Sequence, residues 1–343
     1  VPAGVRVGAL VARLGTIAFK DVACVEGVAR RPIGWRRKAN GLIEKPSTAD
    51  NGRCVTLRPH GTRQTGSNTM TIPFVEANGA RIPAVGLGTW DLRGRTCARV
   101  VEQALRLGYR HIDTAEMYGN EREIGEGLRA SGVRRDDVFI TTKVWQDHLA
   151  PPEFERAAKE SLVRLRLSDV DLLLIHWPSS RIPLAETIGA LCRMKQAGFA
   201  RHIGISNFTV PLVEEAVKLS PEPLVTNQIE WHPYLDQSKV VAACRRHGLS
   251  VTAYSPIARG RAGGDKQLRL IGMHHRKTAS QVCLRFLVQE GAIVIPRTSK
   301  LERLEENMAI FDFVLEPPEI DEIRKLANRR GRVVDWSGAP DWD

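Results

Sequence analysis

Leu172-Leu173-Leu174-Ile175-His176-Trp177-Pro178 is an apolar run of strand length that ends on a titratable side chain. Two earlier stretches close in the same way. Thr141-Thr142-Lys143-Val144-Trp145 carries a lysine at its end, and His111-Ile112-Asp113 ends on an aspartate that leads into Thr114-Ala115-Glu116-Met117-Tyr118-Gly119-Asn120-Glu121. In parallel β/α barrels the active site lies at the carboxyl ends of the strands, which is where these polar groups collect. Outward from this centre, short apolar runs alternate with amphipathic helical stretches, the pattern of repeated β/α units. Candidate strands end near Gly88, Asp113, Lys143, His176, Ser206, Gln228, Tyr254 and Pro296. Helix-like segments between them are Thr96 to Leu107, Glu121 to Ala130, Pro152 to Leu165, Leu184 to Gln196, Val210 to Leu219, Gln237 to His247 and Thr278 to Gln289. Ahead of the first strand, Thr71 to Val75, Asn78-Gly79 and Arg81 to Val85 read as a β-hairpin on a tight primed turn. The expected fold is α/β: a (β/α)8 TIM barrel whose bottom is closed by an N-terminal β-hairpin. An open dinucleotide-binding sheet is the rival, and its fingerprint is missing. Gly86-Leu87-Gly88 continues as Thr89-Trp90-Asp91, without the third glycine of G-x-G-x-x-G.

The 343 residues hold 43% hydrophobic and 26% charged side chains, a globular mixture. Such a barrel takes about 250 residues, so one barrel with an extra segment is expected. No run of about 18 apolar residues occurs, and no membrane span is expected. The net charge of +11 is unevenly placed: residues 1–69 hold twelve Lys or Arg against four Asp or Glu, the remainder thirty-eight against thirty-five. The basic character belongs to the leader, so a nucleic-acid-binding role for the barrel does not follow. Residues 1–69 show no sustained period, and Met70 is the first methionine. They are expected to be a basic, low-order leader outside the native protein, with a targeting peptide or a basic binding arm as alternatives. Residues 70–343 are expected to form the barrel. The cysteines (Cys24, Cys54, Cys97, Cys192, Cys244, Cys283) form no Cys-x-x-Cys pair. Scattered thiols suit a reduced, cytoplasmic protein, and no metal site is expected.

A lysine at the end of a buried strand needs a carboxylate, and Asp113 is the candidate partner of Lys143. For each residue alone, a structural ion pair or a core histidine is an adequate reading. The conjunction of Asp113, Tyr118, Lys143 and His176 at one barrel mouth points instead to catalysis. A lysine beside Tyr118 is expected to stabilise the phenolate and lower its pKa from about 10. A tyrosine so tuned can pass a proton to a carbonyl oxygen.

These stretches resemble the signatures of the aldo-keto reductase family. The resemblance continues through Gly204-Ile205-Ser206-Asn207-Phe208, Asn227-Gln228-Ile229-Glu230 and Ile295-Pro296-Arg297-Thr298, and covers Thr71 to Asp343. Within the family, the short loops and the ending Arg332-Val333-Val334-Asp335 to Asp341-Trp342-Asp343 look most like the bacterial 2,5-diketo-gluconate reductases, a group that also reduces methylglyoxal. The resemblance implies NADPH-dependent reduction of aldehydes and ketones, with Tyr118 as proton donor, Lys143 and Asp113 tuning it, and His176 orienting the carbonyl. It assigns Ser206, Asn207 and Gln228 to the nicotinamide carboxamide and Tyr254 to its ring face, with Thr89 and Ser255 also at the cofactor. After the eighth strand, Arg297 and Arg303 suit a 2′-phosphate, since guanidinium binds phosphate bidentately, and Thr298 is also placed at the cofactor. Glu306 and Asn307 are given to the adenine. Arg297 is a mild departure, because the family frequently has lysine there. Trp90, Trp145 and Trp177 each follow a strand end and are expected to wall the substrate pocket, with Trp231-His232 and the tail near Trp336 adding specificity. The expected partner is a small carbonyl compound, with no nucleic acid or membrane, and a monomer is expected. Two alternatives stay open: a nucleotide-binding regulatory subunit with little turnover, and a lyase or isomerase using Lys143 as a Schiff-base nucleophile.

Overall fold

The computed structural model describes residues 72–328 and 331–343. The expectations for residues 1–69, including Cys24 and Cys54, lie outside the described residues.

The described residues open with an antiparallel hairpin, β1 (Phe74–Ala77) and β2 (Ala80–Pro83), joined at Asn78-Gly79. Both turn residues have positive φ, 45° and 87°. A primed two-residue turn demands that, and Asn-Gly supplies it at little cost. Eight parallel strands follow: β3 (Leu87–Gly88), β4 (His111–Asp113), β5 (Phe139–Val144), β6 (Val170–Ile175), β7 (Ala200–Ser206), β8 (Leu224–Glu230), β9 (Ser250–Tyr254) and β10 (Ile293–Val294). They are hydrogen-bonded in sequence order from β3 to β10. The sheet closes on itself where Val85 bridges Val294 and Gly88 bridges Arg297. Gly86 N donates to Val294 O at 2.9 Å across this seam. Closure explains the two glycines of Gly86-Leu87-Gly88. A Cβ at Gly88 would come within 2.5 Å of the Ile295 carbonyl oxygen, and one at Gly86 within 2.7 Å of the His111 ring. The pair is a close-approach device at the barrel seam, not half of a nucleotide fingerprint.

Helices α1 (Gly94–Arg106), α2 (Glu121–Ser131), α3 (Pro151–Leu165), α4 (Leu184–Gln196), α5 (Val210–Leu219) and α6 (Ser238–Arg246) each connect one strand to the next. Between β9 and β10 lie α7 (Lys266–His275) and α8 (Ala279–Gln289), and α9 (Glu302–Met308) and α10 (Pro317–Arg324) follow the barrel. The seven expected helices all form, with ends within two residues of expectation. Helices α4 and α5 match at both ends. Helices α7, α9 and α10 have no counterpart among the expected segments. The start signals of α7 and α10 are local: Asp265 accepts from the Leu268 amide, and Glu316 with Glu319 forms a capping box ahead of Pro317. Strand β8 runs two residues past the expected Gln228, and this extension places Glu230.

Two apolar cores result. The larger lies between the strands and the helix ring. The smaller fills the amino-terminal end of the barrel with Val75, Ala80 and Ile82 from the hairpin against Leu172, Leu174, Val225 and Ile293. Asn78 Nδ2 donates to Leu224 O at 2.7 Å and ties the hairpin turn to the barrel. The hairpin thus closes the bottom, and the carboxyl ends of the strands are left to carry polar groups. Among the described residues no helix is long and apolar enough to cross a membrane.

Candidate active site

The strands end in a cavity of about 810 Å³ at the carboxyl face of the barrel. Asp113, the last residue of β4, and Lys143 on the neighbouring β5 are 2% and 0% exposed in their side chains, with Nζ 2.6 Å from Oδ1. The ammonium also donates to Thr114 O at 2.7 Å. Asp113 Oδ2 accepts from Gln228 Nε2 at 2.7 Å, so the carboxylate is shared between β5 and β8. Burial lowers the lysine pKa, and the charge and hydrogen bond of Asp113 oppose that shift.

Tyr118 is held by a one-turn 3₁₀ helix, Glu116–Tyr118, that ends on Gly119 at φ 61°. The Arg93 guanidinium donates to the Tyr118 carbonyl. The phenol ring lies 5.1 Å from Lys143 Nζ and 5.6 Å, edge to face, from His176. Sequence reasoning expects Lys143 to lower the Tyr118 pKa; the site does the opposite. Burial raises it well above the ordinary phenol range, and the negative charge of Asp113 adds to the rise. The main reason is that the phenol is buried, which disfavours its charged form, and the Asp113 carboxylate acts in the same direction. Tyr118 is therefore a protonated phenol at neutral pH. His176 is also held neutral, because burial and the Lys143 charge push its pKa well below the ordinary value. Its Nδ1 has no hydrogen-bond partner among the described residues.

The remaining sequence-expected residues divide into three groups. Thr89, Ser206, Asn207, Gln228, Tyr254, Ser255, Arg297 and Arg303 line the cavity. Several are already engaged within the protein: Thr89 Oγ1 donates to Asp113 O at 2.9 Å, and Ser206 Oγ donates to Gln228 O at 2.7 Å. Asn207, at φ 65° where β7 ends, donates to His176 O at 2.9 Å and accepts from the Tyr254 hydroxyl at 2.8 Å. Arg297 donates to the carbonyls of Trp90 and Asp91 at 3.0 and 3.1 Å. The second group, Thr298, Glu306 and Asn307, lies outside the cavity lining. Thr298 bonds Lys300 and Glu306 accepts from Thr278 Oγ1 at 2.7 Å, while Asn307 is 5% exposed. The third group is the aromatic wall. Trp90 meets the Tyr118 ring edge-on at 5.0 Å, Trp145 meets His176 at 5.2 Å, and Trp177 completes the rim. Trp231 and His232 are not in it; both are buried.

The tail near Trp336, expected from sequence to add specificity, lines the cavity through Val333 to Trp336, and Met117, Arg259 and Gly260, not singled out from sequence, line it too. The loop after β9 is a run of unusual backbone, with Ser255, Ala258 and Arg259 at φ 46°, 48° and 51°. Strained backbone of this kind clusters at ligand sites, and no residue-type pattern in Ser255-Pro256-Ile257-Ala258-Arg259-Gly260 announces it. Among the described residues no cluster of His, Cys, Asp and Glu could hold a metal ion.

Fold and site together are a closed parallel barrel with a buried Asp–Lys pair, a neutral tyrosine and a neutral histidine around one aromatic-walled cavity. The sequence profile of the aldo/keto reductase family matches residues 84–328. Methylglyoxal reductase DkgB of Escherichia coli O157:H7 is 42% identical over 266 residues, covering 76% of this chain and 99% of that protein. The glyoxal reductase of Bacillus subtilis is 38% identical over 257 residues, 75% of this chain and 92% of that protein. The crystal structure of a putative 2,5-diketo-D-gluconic acid reductase B superposes with a TM-score of 0.78 at 50% identity, covering 80% of this chain and 98% of that one. The structure of a Bombyx mori aldo-keto reductase in complex with NADP gives 0.74 at 34% identity, 80% and 98%. The chain belongs to the aldo/keto reductase family. It is an oxidoreductase, and its family membership implies that it binds NADP(H).

Proposed function

We propose that this chain reduces small aldehydes and ketones, of the methylglyoxal or 2,5-diketo-gluconate kind, to alcohols with NADPH. The observation that carries the reading is the convergence of Asp113, Lys143, Tyr118 and His176 on one cavity. The cavity wall also has the chemistry a nicotinamide nucleotide needs. Gln228 keeps an amide oxygen uncommitted while its nitrogen serves Asp113, and Arg259, Arg297 and Arg303 supply three guanidinium groups for phosphates. Tyr254, tethered to Asn207, offers a ring face on the same wall.

When bound, the dihydronicotinamide supplies the hydride. The residues of this chain do the rest. Tyr118 holds its proton at neutral pH and gives it to the carbonyl oxygen as negative charge develops there. An alkoxide is a stronger base than an ordinary phenolate, which favours transfer as charge develops on the oxygen. Lys143 then stabilises the phenolate left behind, and Asp113 keeps the ammonium in place. His176, neutral, is a hydrogen-bond donor to the same oxygen rather than a competing acid. Trp90, Trp145 and Trp177 exclude water and accept the apolar part of the substrate.

The test is NADPH oxidation at 340 nm by the purified chain with methylglyoxal, 2,5-diketo-gluconate and an aromatic aldehyde. Turnover on any of them supports the reading. NADPH binding without turnover on a widened panel overturns it in favour of a nucleotide-sensing protein.

A further inference from the structure

Glu230, the last residue of β8, carries a carboxylate with no solvent exposure. A buried carboxylate is costly unless its lone pairs are used, and most of the partners of this one lie about a hundred residues further on. Oε1 accepts from the Val333 amide at 2.6 Å and meets His232 Nε2 at 2.8 Å, and Oε2 accepts from the Val334 amide at 2.9 Å. Arg332 brings a guanidinium nitrogen to 3.9 Å from Oε2. The tail can come this close because residue 331 is glycine; a side chain there would collide with the Tyr234 carbonyl.

Beyond this anchor the tail turns over the cavity. Val333, Val334, Asp335 and Trp336 line it. The Trp336 indole stacks on Trp145 at 5.7 Å, with planes 22° apart, and meets Trp177 edge-on at 5.6 Å. Trp145 in turn touches His176. The Arg332 guanidinium covers the Trp342 ring at 3.5 Å, and the Asp343 carboxylate accepts from the Val210 amide at 2.9 Å.

Resting on the reading of the cavity as a carbonyl-reducing site, we propose that Glu230 is a positioning residue for substrate binding. It latches residues 332–336 across the rim so that Trp336 forms the outer wall of the substrate end. Glu230 touches no reacting group and acts through the tail. Val333 and Val334 belong to no helix or sheet, so without the carboxylate these two amides lose their partners and the tail loses its register. Residues 228 and 230 share one face of the strand. Gln228 reaches Asp113 at the floor of the site, and Glu230 reaches the tail at its wall, so one strand end sets both. A merely structural ion pair would leave the substrate end indifferent to its loss.

The test uses the full chain with Glu230→Gln, Trp336→Ala and the double variant. Glutamine is nearly isosteric but turns an NH₂ group toward an amide N–H that needs an acceptor. The KM for an uncharged aldehyde is expected to rise roughly tenfold in Glu230→Gln, in line with losing hydrogen bonds to a charged group, and by about the same factor in Trp336→Ala through loss of the stacked wall, while the NADPH Kd changes less than about twofold. The double variant is expected to match the weaker single variant, because both changes act through one element. Trypsin is expected to cut after Arg332 faster in Glu230→Gln. An unchanged KM, an equal loss of NADPH affinity, or fully additive effects would each overturn the proposal. If the wild type turns over no aldehyde, the carbonyl-reductase reading fails first, and the protease result still decides the latch: unchanged cleavage sinks it and faster cleavage supports it.

Discussion

The two ends of this barrel are built from the same strands and hold opposite contents. At the amino-terminal end, Leu172, Leu174, Val225 and Ile293 meet Val75 and Ile82 of the hairpin, and the space is filled with hydrocarbon. At the carboxyl-terminal end of the same strands stand Asp113, Lys143, His176, Gln228 and Glu230, all buried and nearly all paired. The lower end costs nothing electrostatically and contributes stability through burial. The upper end holds charges that are tolerable only because each has a partner of opposite sign or a hydrogen bond. Division of labour along a strand lets a rigid plug support a site that would be unstable by itself.

The largest expected effect that would break this comparison is at the upper end. Tyr118→Phe is expected to lower the rate of carbonyl reduction by about 10²- to 10⁴-fold, the usual contribution of a positioned acid, with NADPH binding retained; near wild-type turnover would remove the proton-donor role. In the wild type, the reduction rate is expected to stay flat between about pH 6 and 9. The sign follows from the two shifts: the raised Tyr118 pKa keeps the donor protonated well past neutrality, and the lowered His176 pKa keeps the imidazole uncharged above the acid range. A break near pH 6.5 in a pH–rate profile would show that His176 titrates in the working range.

Next is the ion pair. Lys143→Met leaves Asp113 buried with Gln228 as its remaining partner, and is expected to cost about 3–5 kcal/mol of stability in chemical denaturation together with most activity. Loss of activity at unchanged stability would mean that the pair is not part of the scaffold. The lower end is expected to behave differently. Ile82→Ala, at a position with no exposure, is expected to cost about 2–5 kcal/mol while leaving KM and kcat of the folded protein within about twofold of wild type. A change in catalysis from that site would sharpen the comparison into coupling between plug and active site. The smallest effect is expected at the cofactor rim, where Arg303→Ala should weaken NADPH about 10- to 100-fold more than NADH, since a hydrogen bond to a charged group is worth about 1.5–3 kcal/mol. Equal losses for both cofactors in a binding titration would remove the 2′-phosphate role.

Much of the barrel is legible from residue order because its signals are local. Asn78-Gly79 specifies a primed turn, the alternation of apolar runs and amphipathic helices specifies β/α units, and helices α4 and α5 appear at the expected ends. The four residues at the barrel mouth are legible because buried polar groups at the ends of apolar runs are unusual enough to stand out. What escaped were features whose cause lies elsewhere in the chain. The glycines at 86 and 88 look like a broken nucleotide motif until the barrel closes and brings Ile295 and His111 against them. Trp231 and His232 look like pocket residues, yet β8 runs on to Glu230 and turns them into the interior. The sign of the Tyr118 shift is not legible in sequence because it is set first by burial and then by the Asp113 charge, both consequences of the closed barrel.

By itself, the order of residues determined the element types, the hairpin turn and the identity of the candidate catalytic groups, since propensity, periodicity and capping act over a few residues. Only the tertiary structure decided the state of those groups and the shape of the pocket. Protonation depends on the summed burial and charge around a side chain, and Asp113, Lys143, Gln228 and Tyr118 come from four separate stretches. The outer wall depends on Glu230 meeting amides that lie about a hundred residues away, a contact made by chain closure and visible in no local pattern.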